Sequence, residues 1–167
     1  MILPPKDFQD DEYLVPREIF EQNSYTIKTS STEQVNCVGV RGTVADIDLS
    51  IADIDTTGFD AVVFFGGPGT EVYFQEDLLF NIAQEFLRDG KVVAAICWAP
   101  VILANAGLLR GKRATVWSGA KDELTRAGAF YTGEPVTADG NIITGSGPDA
   151  ADGFAQKIAD TLNSGNI

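Results

Sequence analysis

The chain reads as an α/β protein, a three-layer sandwich with a mostly parallel central sheet and helices on both faces. Three observations point there. Apolar runs alternate with amphipathic stretches along the whole length, the pattern of strands covered by helices. Residues 60–65 (Asp-Ala-Val-Val-Phe-Phe) and 91–96 (Lys-Val-Val-Ala-Ala-Ile) are apolar, β-branched runs of strand length. Each run stops abruptly, the first at Gly66-Gly67-Pro68-Gly69 and the second at Cys97, and helical patterning follows.

The elements follow in order. Ile2-Leu3 is the stub of a first strand, cut short by Pro4-Pro5. A central parallel strand normally needs ~5 residues, so either this strand is cropped or it pairs weakly. Residues 10–22 form a helix, with acids suited to its N-terminus and Leu14, Ile19 and Phe20 directed inward. A second strand is expected at 25–29, and a small Gly-punctuated excursion of hairpin type at 35–48. Residues 78–88 are amphipathic and end at Asp89-Gly90, as a helix C-cap would. After Cys97 a helix is expected to begin at once and run to about Ala106. Residues 114–117 suit a short strand and 120–127 a short helix. Asp139-Gly140 marks a hairpin between two β-rich arms in 136–144. A last helix is expected over 148–162, with a loose tail from Asn163 to Ile167.

Composition bounds the function. With 167 residues, no repeat and no linker, the chain is expected to be one domain, 1–167. Its net charge of −12 argues against nucleic acid or an anionic membrane as partner. No run approaches ~18 apolar residues, so no membrane span is expected. Two cysteines in dissimilar contexts, Cys37 and Cys97, suit a reducing cytoplasm better than a disulfide framework. With no histidine in the chain, a zinc site is disfavoured, and no metal or cofactor is expected.

Cys97 carries the chemistry. A cysteine between a buried strand and a helix, flanked by Ala95 and Ala99, fits a nucleophile elbow, a turn that tolerates only small neighbours. Orphan N–H groups at a helix start would favour its thiolate. The bland alternative is a buried small hydrophobe. Gly66-Gly67 is either a plain tight turn or, with the Trp98 N–H, an oxyanion hole. Neither a GxGxxG pattern nor a Walker lysine is present, so a nucleotide site is disfavoured. Glu12 is either a solvated first-turn acid or a carboxyl turned toward the C-terminal ends of the strands, with a pKa raised by burial. Trp98 and Trp117 are core residues or pocket walls, and Cys37 shows no activating context.

Taken together, the chain resembles the ThiJ/PfpI superfamily, relatives of the class I glutamine amidotransferases. The stretches that carry the resemblance are Phe8-Gln9-Asp10-Asp11-Glu12, Phe59 through Gly67, Val92 through Pro100, Leu108 through Lys112, Lys121-Asp122 and Asp139 through Thr144. The resemblance implies a flavodoxin-like fold with the cysteine elbow at the sheet's C-terminal edge and Glu12 touching Cys97. It also implies a homodimer or higher homo-oligomer, in which Glu71 after the Gly-Gly turn is a candidate inter-subunit residue. Two departures stand out. Trp98 occupies the position of the histidine of the protease-like branch, and Trp117 lies near the histidine position of the glyoxalase and deglycase branch. A homo-oligomer supplies no histidine either, so a Cys-His peptidase is disfavoured by direct count.

The reading is a cysteine–glutamate enzyme, a hydrolase or lyase acting on a small electrophile: a reactive carbonyl or an isocyanide-like substrate, as glyoxalases, deglycases and hydratases do. The alternative is a non-enzymatic, redox-responsive or chaperone-like stress protein using an oxidisable Cys97. An intracellular cysteine peptidase stands behind both.

Overall fold

The computed structural model describes residues 1–32 and 36–165. Eleven strands and five helices alternate along these residues. The first half holds β1 (Lys6–Phe8), α1 (Asp10–Gln22), β2 (Ser30–Ser31), β3 (Cys37–Gly39), β4 (Val44–Ala45), β5 (Leu49–Ser50), β6 (Ala61–Phe64) and α2 (Asp77–Arg88). The second holds β7 (Val92–Ile96), α3 (Pro100–Asn105), β8 (Arg113–Ala114), α4 (Lys121–Arg126), β9 (Phe130–Tyr131), β10 (Val136–Asp139), β11 (Ile142–Gly145) and α5 (Ala151–Asn163).

The main sheet runs β10-β11-β7-β6, parallel except for the β10 edge. Ile2 extends it, bridging in parallel to Phe64 on one side and to Ser30 of β2 on the other. β5 then pairs with β2. The short first strand therefore pairs on both edges. Ile2 donates to Val63 and accepts from Phe65, while Leu3 donates to Ser30 and accepts from the buried Tyr73 hydroxyl at 2.7 Å. Every backbone group of the stub is satisfied within two residues, which is why Pro4-Pro5 can end it so soon.

Successive residues of β6 and β7 face opposite layers, as strand geometry requires. Val62, Phe64, Val93 and Ala95 join the core under α2, α3 and α4. Val63, Phe65, Val92, Ala94 and Ile96 join the core with Phe20 of α1 and Phe154 and Ile158 of α5. These two cores make the three layers. A separate small sheet, β1-β3-β4, stands beside the C-terminal edge.

Several sequence expectations shift. Residues 25–29 carry no ladder; only Ser30–Ser31 forms a strand, because the Thr29 N–H goes to the Asp48 carboxylate at 2.7 Å instead. Leu14 points outward at 43 % exposure, and α1 buries Glu12, Tyr13, Pro16 and Phe20. The excursion is a real hairpin, β3 with β4, although Val35 at its start lies outside the described residues. The strand expected over 114–117 is Arg113–Ala114, after which the chain leaves the ladder. There the Thr115 N–H meets Thr144 Oγ1.

Candidate active site

The elbow is built by constraint. β7 is fully buried along its length, and Cys97 follows it at φ 63°, a left-handed conformation few non-glycine residues adopt. Three backbone hydrogen bonds hold it there. The Cys97 N–H donates to Gly145 at 2.9 Å, its carbonyl accepts from Trp117 at 2.8 Å, and Ala99 donates back to Ile96 at 3.1 Å. A strained residue fixed on every side by its surroundings is the usual mark of a functional turn. Ala95 and Ala99 are both fully buried, as the tight turn demands. The helix does not start at Cys97: residues 97–99 form the turn, and α3 begins at Pro100 and is only six residues long.

Glu12 reaches the elbow from the first turn of α1. The backbone places it there, because the Gln9 N–H donates to the Gly66 carbonyl at 2.9 Å, docking the helix start onto the end of β6. The side chain is completely buried, and neither carboxyl oxygen makes a hydrogen bond of good geometry. A Cβ added to Gly66 would lie 2.6 Å from the Cys97 Cβ and 2.8 Å from Glu12 Oε2, so the bare glycine is what lets acid and thiol share one space. Gly67, at φ 116°, is equally confined: its Cβ would sit 2.3 Å from the Asp7 carbonyl. The Gly-Gly turn is thus required by close approach as well as by chain reversal.

Burial pushes the Glu12 carboxyl up to about 7, with the neighbouring Asp11 charge adding to the rise. The Cys97 thiol and the Gly66 N–H oppose the shift without cancelling it. Cys97 does not behave as a helix-start thiolate. Burial, then the Glu12 charge, push its thiol above the ordinary cysteine value, while the N–H groups of Gly67 and Trp98 pull it down. Protonating Glu12 removes the repulsive part, so the two groups titrate as a coupled pair. Protonation of the carboxyl lowers the cost of a thiolate by that repulsive part, while the larger burial part remains. The expected oxyanion trio divides accordingly: Gly67 and Trp98 serve the sulfur, and Gly66 serves Glu12.

The aromatic residues line up beside the elbow. Trp98 packs edge-to-face on Phe74 at 5.1 Å and on Trp117 at 6.0 Å. The Trp98 indole N–H is buried with no partner. Trp117 is 47 % exposed. Glu71 is exposed in the turn Pro68–Tyr73. Cys37 is buried in β3. Sequence reasoning missed three contributors. Phe74 and Gly145 carry no local signal, since each matters only through a partner distant in sequence. Asp10 resembles any solvated first-turn acid, yet it is 1 % exposed and accepts the N–H groups of Arg41 and Thr43, pinning the β3–β4 hairpin to α1.

A doubly covered parallel sheet with a cysteine elbow and a buried acid at its C-terminal edge defines the class of cysteine-elbow α/β proteins. The model of the DJ-1/PfpI family matches residues 1–161, and the chain belongs to that family. An uncharacterised protein of Methanocaldococcus jannaschii is 38% identical, covering 99% of this chain and 82% of its own length. A deglycase of Pyrococcus abyssi is 31% identical over 89% of each chain. A glutathione-independent glyoxalase of Caenorhabditis elegans is 29% identical, covering 97% of this chain and 87% of that one. Among solved structures, the ThiJ/PfpI domain protein of Brachyspira murdochii superposes with a TM-score of 0.95 at 35% identity, over 98% of this chain and 94% of that one. The flavodoxin-like sandwich expected from the sequence is therefore the fold. No helix among the described residues is long and apolar enough to cross a membrane.

Proposed function

We propose that Cys97 and Glu12 form a nucleophile–proton-carrier pair that converts a small α-oxoaldehyde to the corresponding 2-hydroxy acid. The observation that carries this reading is the buried Glu12 carboxyl against a strained elbow cysteine, in a chain with no histidine. A carboxyl with a pKa about 7 both accepts and donates protons at neutral pH. The names of the deglycase and glyoxalase relatives support carbonyl chemistry.

The steps balance without an outside oxidant. Sγ adds to the aldehyde carbon as Glu12 takes the thiol proton and hands it to the former carbonyl oxygen, giving a hemithioacetal. Glu12 then removes the proton on that carbon and returns it to the adjacent ketone carbon, while the hydroxyl proton of the hemithioacetal passes to the former ketone oxygen. The first carbon is oxidised to a thioester and the second reduced to an alcohol. Water cleaves the thioester, releasing the 2-hydroxy acid and restoring the thiol. The N–H groups of Gly67 and Trp98, which act on the sulfur, are the donors this reading assigns to the developing oxyanion. A second copy of the chain belongs to this proposal, with exposed Glu71 and its exposed neighbour Val72 as the contact.

Turnover of methylglyoxal by the wild type and by Cys97→Ser tests the reading, with an aryl isocyanide as a parallel substrate. The expected result is methylglyoxal consumption that falls at least ~10³-fold in the serine variant. Equal rates in the two proteins, or turnover of the isocyanide alone, would refute it.

A further inference from the structure

The proposal above leaves open what the substrate carries beside its reacting carbon. We infer that Trp117, backed by Trp98 and Phe74, forms a subsite for a planar aromatic group, so that the preferred substrate is an uncharged aryl α-oxoaldehyde. This rests on the Cys97–Glu12 reading and deepens it.

Three segments distant in sequence deliver the aromatic rings to one place. Phe74 ends the turn after the glycines, Trp98 follows the nucleophile directly, and Trp117 arrives on the chain leaving β8. Trp117 is held at two points. Its backbone N–H donates to the Cys97 carbonyl at 2.8 Å. The six-membered part of its ring lies against Gly119, where an added Cβ would come within 2.3 Å of a ring carbon. Gly119 is therefore a bare platform on which the indole is seated. A further support is Trp98, edge-to-face at 6.0 Å and itself braced by Phe74 at 5.1 Å.

An indole so fixed loses little further entropy on binding a ligand, yet Trp117 as a residue remains 47 % exposed. Aromatic rings pair with other rings by offset or edge-to-face contact beyond what area alone gives. The geometry thus favours a ring on the substrate over a bare methyl group. The chain's net charge of −12 works against a carboxylate or phosphate on that ring.

The test compares kcat/KM for phenylglyoxal and methylglyoxal in wild type, Trp117→Ala and Trp117→Phe. Trp117→Ala is expected to lose about tenfold more on phenylglyoxal than on methylglyoxal, with Trp117→Phe retaining most of the discrimination. Equal losses on both aldehydes, or none, overturn the subsite while leaving the cysteine–glutamate chemistry intact. A second measurement is independent of turnover. Trp98 and Trp117 are the chain's only tryptophans, so indole fluorescence reports this wall alone. Acetophenone, which lacks the aldehyde, is expected to quench the Cys97→Ser protein at a concentration about tenfold lower than acetone does, and this preference is expected to vanish in Cys97→Ser/Trp117→Ala. If neither aldehyde turns over, the proposed reaction fails and this binding comparison decides the subsite; no preference for acetophenone would overturn it.

Discussion

The two edges of the main sheet differ in kind. At the C-terminal edge, Cys97 sits in a left-handed conformation, Glu12 is buried without a good hydrogen bond, and Gly66 is hemmed in by both. At the opposite edge lies a cleft of about 580 Å³ walled by Phe20, Tyr25, Ile27, Phe59 and Leu162. No cysteine lines that cleft, and Gly58 on its rim has open space where a Cβ would be. Volume alone would choose this edge. Left-handed backbone occurs at both, at Cys97 and at Ser24, so what marks the C-terminal edge is the buried Glu12 carboxyl and Trp98 indole without good partners, which cost free energy that packing alone would have removed. The comparison breaks if changes at the roomy edge alter turnover as much as changes at the crowded one.

The largest contrast is expected at Glu12. Its folded carboxyl has a pKa of about 7 against an ordinary value of 4.5, so between those values the folded state binds more protons than the unfolded one. Stability from this group is complete below about pH 4.5, declines as pH rises, and is gone above about pH 7, a loss of roughly 3 kcal/mol. Glu12→Gln cannot ionise. Urea unfolding at pH 4, 6 and 8 is expected to show the variant matching wild type at the acid end and exceeding it by about 3 kcal/mol at pH 8. Turnover is expected to fall about 10²- to 10⁴-fold in the same protein. A variant that gains stability while losing activity would place Glu12 among residues kept for chemistry against stability. Parallel pH profiles for the two proteins would show that the carboxyl titrates normally.

A paired glycine substitution sharpens the same contrast. Gly66→Ala puts a methyl within 2.6 Å of the Cys97 Cβ and 2.8 Å of Glu12 Oε2, inside a space with no slack. The expected cost is about 1–3 kcal/mol in chemical denaturation, with loss of turnover because acid and sulfur are forced apart. Gly58→Ala meets nothing within 4 Å. It is expected to change stability by less than about 0.5 kcal/mol and to leave turnover alone. Similar unfolding midpoints for the two variants would mean that the crowding at Gly66 relaxes freely.

The same contrast explains what the sequence could tell. The elbow was legible because β7 and Cys97 are contiguous, and strand, cysteine and small flanking residues can be read in one window. The fold class was legible for a similar reason, since alternating runs report burial on both faces. Glu12 was legible only through resemblance; its residue type and position equally fit a solvated helix start. Asp10, two residues earlier, shows how little the local signal decides. Both acids are buried in one helical turn, yet Asp10 receives two backbone N–H groups and Glu12 is left beside a thiol. Desolvation acts on both, but at Asp10 the hydrogen bonds from Thr43 and Arg41 outweigh it and hold the carboxyl low. The difference comes from the β3–β4 hairpin and Gly66, tertiary neighbours that no helical pattern announces. The second strand failed for the same reason: Thr29 gives its N–H to an Asp48 carboxylate 19 residues away.

The smallest effect is expected in the roomy cleft itself, at Tyr25. Its hydroxyl donates to Asn163 Oδ1 at 2.8 Å and lies 3.3 Å from the Ala159 carbonyl, tying the segment after α1 to the end of α5. Tyr25→Phe keeps the ring against Phe20, 6.2 Å away, and removes only that tie. Asn163 is exposed, and the buried Ala159 lies inside α5, whose helical ladder serves its carbonyl, so the expected loss is at most about 1 kcal/mol. Thermal unfolding measures the loss, and methylglyoxal turnover is expected to match wild type. A clear fall in turnover without a fall in melting temperature would mean that the cleft communicates with the elbow across the sheet. The division between a reactive edge and a merely open one would then have to be abandoned.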